Sequence, residues 1–126
     1  MSSEIERRRC KRFVIPNMEV KFKKKGLLSF GQTFSEPFSV INLSKGGIAF
    51  SCDRHLSKGK KLVVQLLVPG ETPLDVHSIV RRQQETVGSR LRVTGVEFMP
   101  FGDRPGWNKE EILDVLRKLD KKYGRD

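Results

Sequence analysis

An arginine-rich stretch near the start of the chain has the chemistry to bind phosphate. It reads Arg7-Arg8-Arg9-Cys10-Lys11-Arg12. Arginine presents a planar fork of donors that bonds phosphate oxygens in pairs, stacks on a purine and matches the O6 and N7 acceptors of guanine. Arg8 and Arg12 point the same way in a helix, and in an extended chain they straddle a ligand across ~13 Å. Taken alone, the stretch also fits a solvated basic tail or an arm that touches nucleic acid.

A second stretch, Asn42-Leu43-Ser44-Lys45-Gly46-Gly47, has the chemistry to bind the edge of a base. Asn42 and Ser44 share a face of an extended segment and offer an amide and a hydroxyl. Gly46 and Gly47 permit a positive φ and a close approach to the backbone. The same residue types also form ordinary turns. The order and pairing of the two stretches therefore indicate a pocket for a phosphate-bearing purine nucleotide, where neither stretch alone would.

The charge of the chain favours an anionic partner. Its 126 residues include 25 Lys and Arg against 15 Asp and Glu, a net charge of +10, and residues 1–25 alone hold nine basic and three acidic side chains. Such an excess suits a nucleotide, a nucleic acid or an acidic membrane surface. The first residues show no apolar core of a signal peptide, and no apolar run reaches the ~20 residues of a membrane span. With only two cysteines, the sequence predicts a cytoplasmic protein with reduced thiols.

Apolar residues recur at period two along most of the chain, which predicts short strands separated by turns. This pattern is typical of an antiparallel barrel or sandwich, here within residues 17–99 of a single domain, 1–126. The predicted extended segments are 18–22, 34–43, 48–52, 61–68, 74–82 and 90–98. Leu91 and Val93 differ in parity from Val96 and Phe98, and a bulge at Gly95 would return both pairs to the core.

The period changes to that of a helix near the end of the chain. Ile112, Leu116, Leu119 and Tyr123 follow helical spacing and predict a C-terminal α-helix over residues 108–123. Asn108 is the expected N-terminal cap of this helix, because a short polar side chain there can accept a hydrogen bond from a free backbone N–H.

With these elements in place, the chain resembles a bacterial PilZ domain. The family pattern RxxxR followed by [DN]x[SA]xxG is met by Arg8 and Arg12, and then by Asn42, Ser44 and Gly47. The resemblance covers roughly residues 6–122. It implies a mainly β fold, a six-stranded antiparallel β-barrel of the split-barrel type with a C-terminal α-helix, in agreement with the strand pattern. Cys10-Lys11 departs from the family, which often has an apolar residue and proline there.

The resemblance also implies a ligand, since PilZ domains bind the second messenger cyclic di-GMP. Arg8 and Arg12 would contact phosphate and guanine, Asn42 and Ser44 would bond a guanine edge, and Gly47 would keep the floor of the site open. Arg7, Arg9 and Gly46 are candidates for further contacts. We expect residues 1–13 to form a flexible arm that orders on the ligand, so that the two motifs meet mainly when nucleotide is present. The signal would pass to an unidentified protein effector, from a monomer or a homodimer.

No pattern for catalysis or for a metal site is evident, and no cofactor is expected. His55 and His77 have no cysteine or carboxylate at metal-ligand spacing, Ser44 has no visible base, and no Walker loop is present. The sequence therefore predicts a receptor and not an enzyme. Two alternatives stay open. One is a small barrel that binds single-stranded nucleic acid by stacking bases on Phe13, Phe22 or Phe30. The other is a PilZ-like adaptor that binds protein and not nucleotide.

Overall fold

The described part of the chain, residues 11–25 and 33–124 of a computed structural model, contains six strands and one α-helix. The strands form a closed antiparallel barrel in the order β1-β2-β3-β6-β5-β4, and β4 pairs back to β1. The predicted mainly β fold with a C-terminal helix is confirmed. The bounds are β1 Glu19–Lys24, β2 Phe38–Leu43, β3 Gly47–Cys52, β4 Lys61–Leu67, β5 Leu74–Glu85, β6 Arg92–Phe98 and α1 Glu110–Tyr123.

Alternation along the strands fills the barrel. In β4, Leu62, Val64 and Leu66 are fully buried, while the residues between them are only partly covered. Burying such side chains stabilises the fold by roughly 1.5–3 kcal/mol each, which is why the period-two pattern specifies which face turns inward. Cys52 is one of these core residues. Helix α1 packs Leu116 and Leu119 into the same core.

Two bulges interrupt the ladder, and neither has its extra residue in β6. One lies in β2 between Val40 and Asn42, and the other lies in β5 between Val80 and Arg82. Strand β6 pairs with β3 without a break. The predicted bulge at Gly95 is therefore wrong about the strand, because the extra residue, Arg81, lies in β5 opposite the step from Gly95 to Val96.

The parity change has a different cause, which is that Leu91, just before β6, and Val93 within it stay outside the core. Leu91 is 45% exposed, and Thr94 takes the buried position instead. A hydroxyl is tolerated there because Gln83 Nε2 donates a hydrogen bond of 3.0 Å to Thr94 Oγ1.

Asn108 does not cap α1, so that prediction is also wrong. The helix begins at Glu110 after Lys109, and no side chain caps it. Asn108 is fully buried: its Oδ1 accepts from the His77 N–H at 2.7 Å, and its Nδ2 donates to the carbonyl oxygens of His77 and Met99 at 3.0 and 2.9 Å. The Asn108 amide thus bonds to both the N–H and the carbonyl of His77. These bonds attach the segment before α1 to β5, and the bond to Met99 attaches it to the end of β6.

The chain that leads into β1 already belongs to the barrel. Phe13 is buried in the core, and it exchanges two backbone hydrogen bonds with Leu43, of 2.8 and 2.9 Å. Phe13, the last residue of the predicted arm 1–13, therefore belongs to the barrel, because burial of its ring fixes the backbone beside β2. Residues 1–10 lie outside the described residues. Within the described ranges, no helix is long and apolar enough to cross a membrane.

Candidate functional site

The arginine-rich stretch and the 42–47 stretch lie side by side on the barrel. Phe13 bridges to Leu43, and this pairing brings the neighbouring Arg12 to the neighbouring Asn42. Arg12 Nη1 donates a hydrogen bond of 2.7 Å to Asn42 Oδ1. The two motifs are thus joined by protein atoms. The expectation that they meet mainly around a nucleotide is wrong for Arg12, since the buried Phe13 holds it in place.

Ser44 shapes the turn between β2 and β3. Its side chain is buried, and its Oγ accepts a hydrogen bond of 3.1 Å from the Gly46 N–H. The Ser44 N–H donates to the Gly47 carbonyl at 2.9 Å. Such a local side-chain-to-backbone bond is typical of serine in turns. Ser44 therefore has a structural reason to be in the motif, independent of any ligand.

Gly47 allows β3 and β6 to approach each other closely. A Cβ atom at this position would collide with the carbonyl oxygen of Val96, so a side chain cannot be added unless the backbone shifts. Beside it, the Gly46 carbonyl accepts a hydrogen bond of 2.9 Å from the Phe98 N–H. The two glycines thus let the turn lie close against β6. Their outer faces, which point away from β6, carry no side chain and stay open.

A depression of about 260 Å³ lies on that outer side. Arg12 borders it, and Asn42 is hydrogen-bonded to Arg12. The full lining is Arg12, Ser44, Gly46, Gly47, Ile48, Arg81, Arg82, Gly95, Val96 and Glu97. The structure thus gathers Arg12, Ser44, Gly46 and Gly47 from the predicted set. Arg7, Arg8 and Arg9 lie outside the described residues, so their roles stay a prediction.

Arg81 and Arg82 are site residues that the sequence reasoning missed. Both are exposed although they are consecutive in β5, because the bulge next to Val80 interrupts the alternation. The signal that could have found them is the Arg-Arg pair itself, which breaks the period-two pattern of the predicted strand 74–82.

The depression keeps an excess of positive charge. Arg81 Nε pairs with Glu97 Oε1 at 2.6 Å, so this charge is compensated. Arg82 makes no ion pair within the described part of the chain, and its stem lies across Gly95, where a Cβ atom would be 3.2 Å from both Cγ and Nε of Arg82. Arg12 is bonded only to the neutral Asn42 among the described residues. Arg12 and Arg82 thus leave two cationic forks available to an anion.

The turn also contacts the C-terminal helix. Lys45 Nζ lies 3.7 Å from Asp120 Oδ2, and both side chains are partly exposed. A pair of this kind contributes at most about 1 kcal/mol to stability. It nonetheless places the end of α1 next to the motif, so a displacement of the turn would alter this contact with the helix.

The residues weighed for other functions lie elsewhere. Phe13 and Phe22 are core residues, so neither ring is exposed for base stacking, and Phe30 lies outside the described residues. No group of three or more His, Cys, Asp or Glu that could hold a metal ion occurs in residues 11–25 and 33–124. His77 instead faces Lys25, with 3.2 Å between Nδ1 and Nζ.

Several known proteins are similar to this chain. The model of the PilZ domain family matches residues 6–116. The Bacillus subtilis inhibitor of motility, MotI/DgrA, has a similar structure, with a TM-score of 0.62, 16% sequence identity, and coverage of 88% of this chain and 48% of that one. MrkH, described as a c-di-GMP-dependent transcription regulatory factor, has a TM-score of 0.63 at 12% identity, with coverage of 90% and 49%. The chain spans about half the length of each, and at these identities the likeness shows the fold. A search of curated proteins finds no match.

Proposed function

The chain belongs to the PilZ domain family, and from that premise we propose that it is a non-catalytic receptor of cyclic di-GMP. The ligand binds in the depression beside Arg12 and the 42–47 turn. The observation that carries this proposal is the hydrogen bond between Arg12 and Asn42, because it unites the RxxxR and [DN]x[SA]xxG motifs at one place. The description of MrkH as c-di-GMP-dependent supports the choice of ligand.

Cyclic di-GMP carries two phosphates and two guanines, so it needs charge and base-edge recognition together. Arg12 uses one of its five N–H donors on Asn42, and the rest of its fork serves phosphate or guanine. Asn42 keeps its amide N–H donors for a guanine edge. Because Asn42 already orients Arg12, less side-chain entropy is lost on binding. Ser44 and Gly47 support the turn that forms the wall of the site.

The arginines before Arg12 complete the proposed site. Arg8, the first arginine of the RxxxR pattern, contacts the other side of the ligand, with Arg7, Arg9 and Gly46 as further contacts. The signal then passes to a protein effector in the cytoplasm. The position of Lys45 beside Asp120 supports α1 as the element that transmits the change.

Substitution of Arg12 tests the proposal. We expect Arg12→Ala to weaken cyclic di-GMP binding by at least about tenfold, since a hydrogen bond to a charged group contributes ~1.5–3 kcal/mol. Arg12→Lys, which keeps the charge and loses the fork, should fall between Arg12→Ala and the wild type. Titration calorimetry measures both, and the melting temperature should hardly change because the Arg12 side chain is exposed.

Arg117→Ala provides the matched control, since Arg117 is an exposed arginine paired with Asp114 on α1. It should bind cyclic di-GMP like the wild type. Parallel titrations with GTP and a short oligonucleotide separate the alternatives. Oligonucleotide binding without cyclic di-GMP binding would identify a nucleic-acid-binding barrel, and no nucleotide binding at all would identify a protein adaptor.

A further inference from the structure

The bulge in β5 borders a second depression, which has a volume of about 540 Å³. It shares Arg81 and Arg82 with the first depression, and the loop between β3 and β4 forms another of its walls. The lining residues are His55, Leu56, Ser57, Lys58, Arg81, Arg82, Gln83, Glu85 and Arg92. Four of these are permanent cations, against the single carboxylate of Glu85. The surface is therefore strongly positive beyond the site described above.

Arg92 carries a buried donor that the described protein does not satisfy. Its Nη1 donates to the Asp53 carbonyl oxygen at 3.1 Å, which fixes the guanidinium. Its Nε is buried and has no hydrogen-bond partner among the described residues. The nearest carboxylate oxygen that pairs with it, Glu85 Oε1, is 3.7 Å away, and the Glu85 side chain is 81% exposed. A buried, unsatisfied donor is costly, so this N–H marks a place for an acceptor.

Lys58 and Arg82 bring further charge without a compensating partner. Neither forms an ion pair within the described ranges, whereas Arg81 is neutralised by Glu97. Lys58 is exposed in a turn closed by the hydrogen bond from the Lys60 N–H to the Ser57 carbonyl, 3.0 Å long. Arg82 is laid across Gly95 and reaches the boundary of both depressions.

We propose that this second depression binds a phosphate group, held by Lys58, Arg82 and Arg92. A phosphate offers only acceptors, and these three side chains offer only donors. Lysine supplies a compact point charge, and the two arginines supply forks. The exposed Glu85 can turn away from Arg92 as the anion enters. The phosphate belongs either to a small phosphate compound or to the backbone of a nucleic-acid strand. The two depressions share Arg82, but Lys58 and Arg92 line only the second one.

Pyrophosphate is the first probe, observed by NMR through the Nε–Hε signal of Arg92. Burial protects this proton from exchange with water, so its signal should be visible. We expect pyrophosphate to shift it together with amide signals of residues 55–58. Lys58→Ala should weaken pyrophosphate binding roughly threefold to fivefold, the effect of one exposed charge. Lys118→Ala, an exposed lysine on α1, should have no effect.

A ten-residue oligothymidylate distinguishes the two sources of phosphate. If it binds, and Lys58→Ala lowers the salt dependence by about one unit of slope, the ligand is a nucleic-acid backbone. Binding of pyrophosphate alone identifies a small compound. The proposal is overturned if Arg92 does not respond, if Lys58→Ala binds pyrophosphate like the wild type, or if the shifts are confined to residues 42–47.

Cyclic di-GMP titration keeps this proposal separate from the proposed function. Lys58 does not line the first depression, so Lys58→Ala should bind cyclic di-GMP like the wild type. Loss of cyclic di-GMP binding in that variant would mean that the two depressions are one site, which overturns the second. An Arg92 response in a protein that does not bind cyclic di-GMP would leave the second site standing and contradict only the proposed function.

Discussion

At the scale of single residues, Ser44 and Gly47 are fixed by the fold around them. Ser44 closes the β2–β3 turn, and Gly47 is required by the carbonyl of Val96. Substituting either changes the barrel itself, so a loss of binding there would not locate a ligand. Arg12 and Asn42 meet nearer the surface. Their substitution is the cleaner measure of what the depression recognises.

His77 makes the stability of the barrel depend on pH. Burial, and next the charge of Lys25, lower the pKa of His77 below its ordinary value of 6.5, while Asp75 opposes this shift. The neutral ring accepts from Lys25 Nζ through Nδ1, which a protonated ring cannot do. Because the unfolded chain then binds the proton more readily, stability is full above pH 6.5 and falls as the pH drops towards the folded pKa.

We expect His77→Gln to reduce this dependence. Urea unfolding at about pH 8 and about pH 5 should show a smaller loss of unfolding free energy in the variant than in the wild type. His55→Gln is the matched control, since His55 is exposed in the β3–β4 loop. It should keep the wild-type difference. An equal effect of the two substitutions would contradict the assignment to His77.

At the scale of elements, Asn108 connects α1 to the barrel. We expect Asn108→Ala to lower the unfolding free energy by about 2–4 kcal/mol, because three hydrogen bonds are lost and the His77 N–H is left without its acceptor. Urea unfolding measures this. Asn42→Ala removes one surface hydrogen bond and should cost less than about 1 kcal/mol. Similar losses of unfolding free energy in both variants would show that the buried Asn108 amide does not stabilise the attachment of α1 to the barrel.

The sequence predicts an element well where burial alone decides it. Strand β4 could be predicted because Leu62, Val64 and Leu66 alternate into the core. The role of Asn108 could not, because its partner His77 is 31 positions away and only the tertiary fold brings them together. The bulge at Arg81 could not be predicted for a similar reason, since it depends on the pairing register between β5 and β6.

The candidate site divides in the same way. Arg12, Ser44 and Gly47 could be predicted because they belong to short motifs with fixed spacing. The Arg81-Arg82 pair marks a break in the strand pattern, but the sequence does not show that Arg82 lies beside the motif turn, because that depends on how the barrel closes. The structural demands on Ser44 and Gly47 also depend on neighbours that the motif does not contain, such as Val96.

At the scale of the whole molecule, the barrel is least well paired along β2. This strand pairs with β1 at two positions and with β3 at three, whereas the other neighbouring strands share six or seven. Beyond Val20, β1 no longer pairs with β2. Its Phe22 carbonyl instead accepts a hydrogen bond of 2.8 Å from the Ser35 N–H. The 42–47 turn therefore comes directly after the strand with the fewest paired positions in the barrel.

We expect β2 to open locally before the remainder of the barrel. Native-state amide exchange should be about tenfold or more faster at Val40, whose N–H donates to Met18, than at Val80, whose N–H donates to Lys60. Cyclic di-GMP should slow exchange at Val40 and leave Val80 unchanged. Uniform exchange of both amides would contradict this view of β2.

The buried Phe13 turns the arginine-rich stretch into a tether of known length. Arg8 precedes Arg12 by four residues, so chain geometry keeps the two within about 14 Å. In the proposed receptor, a nucleotide held at Asn42 would therefore meet Arg8 at a local concentration on the order of millimolar, whatever the amount of protein in solution. Burial of the Phe13 ring would thereby determine how strongly Arg8 and Arg12 act together on that ligand.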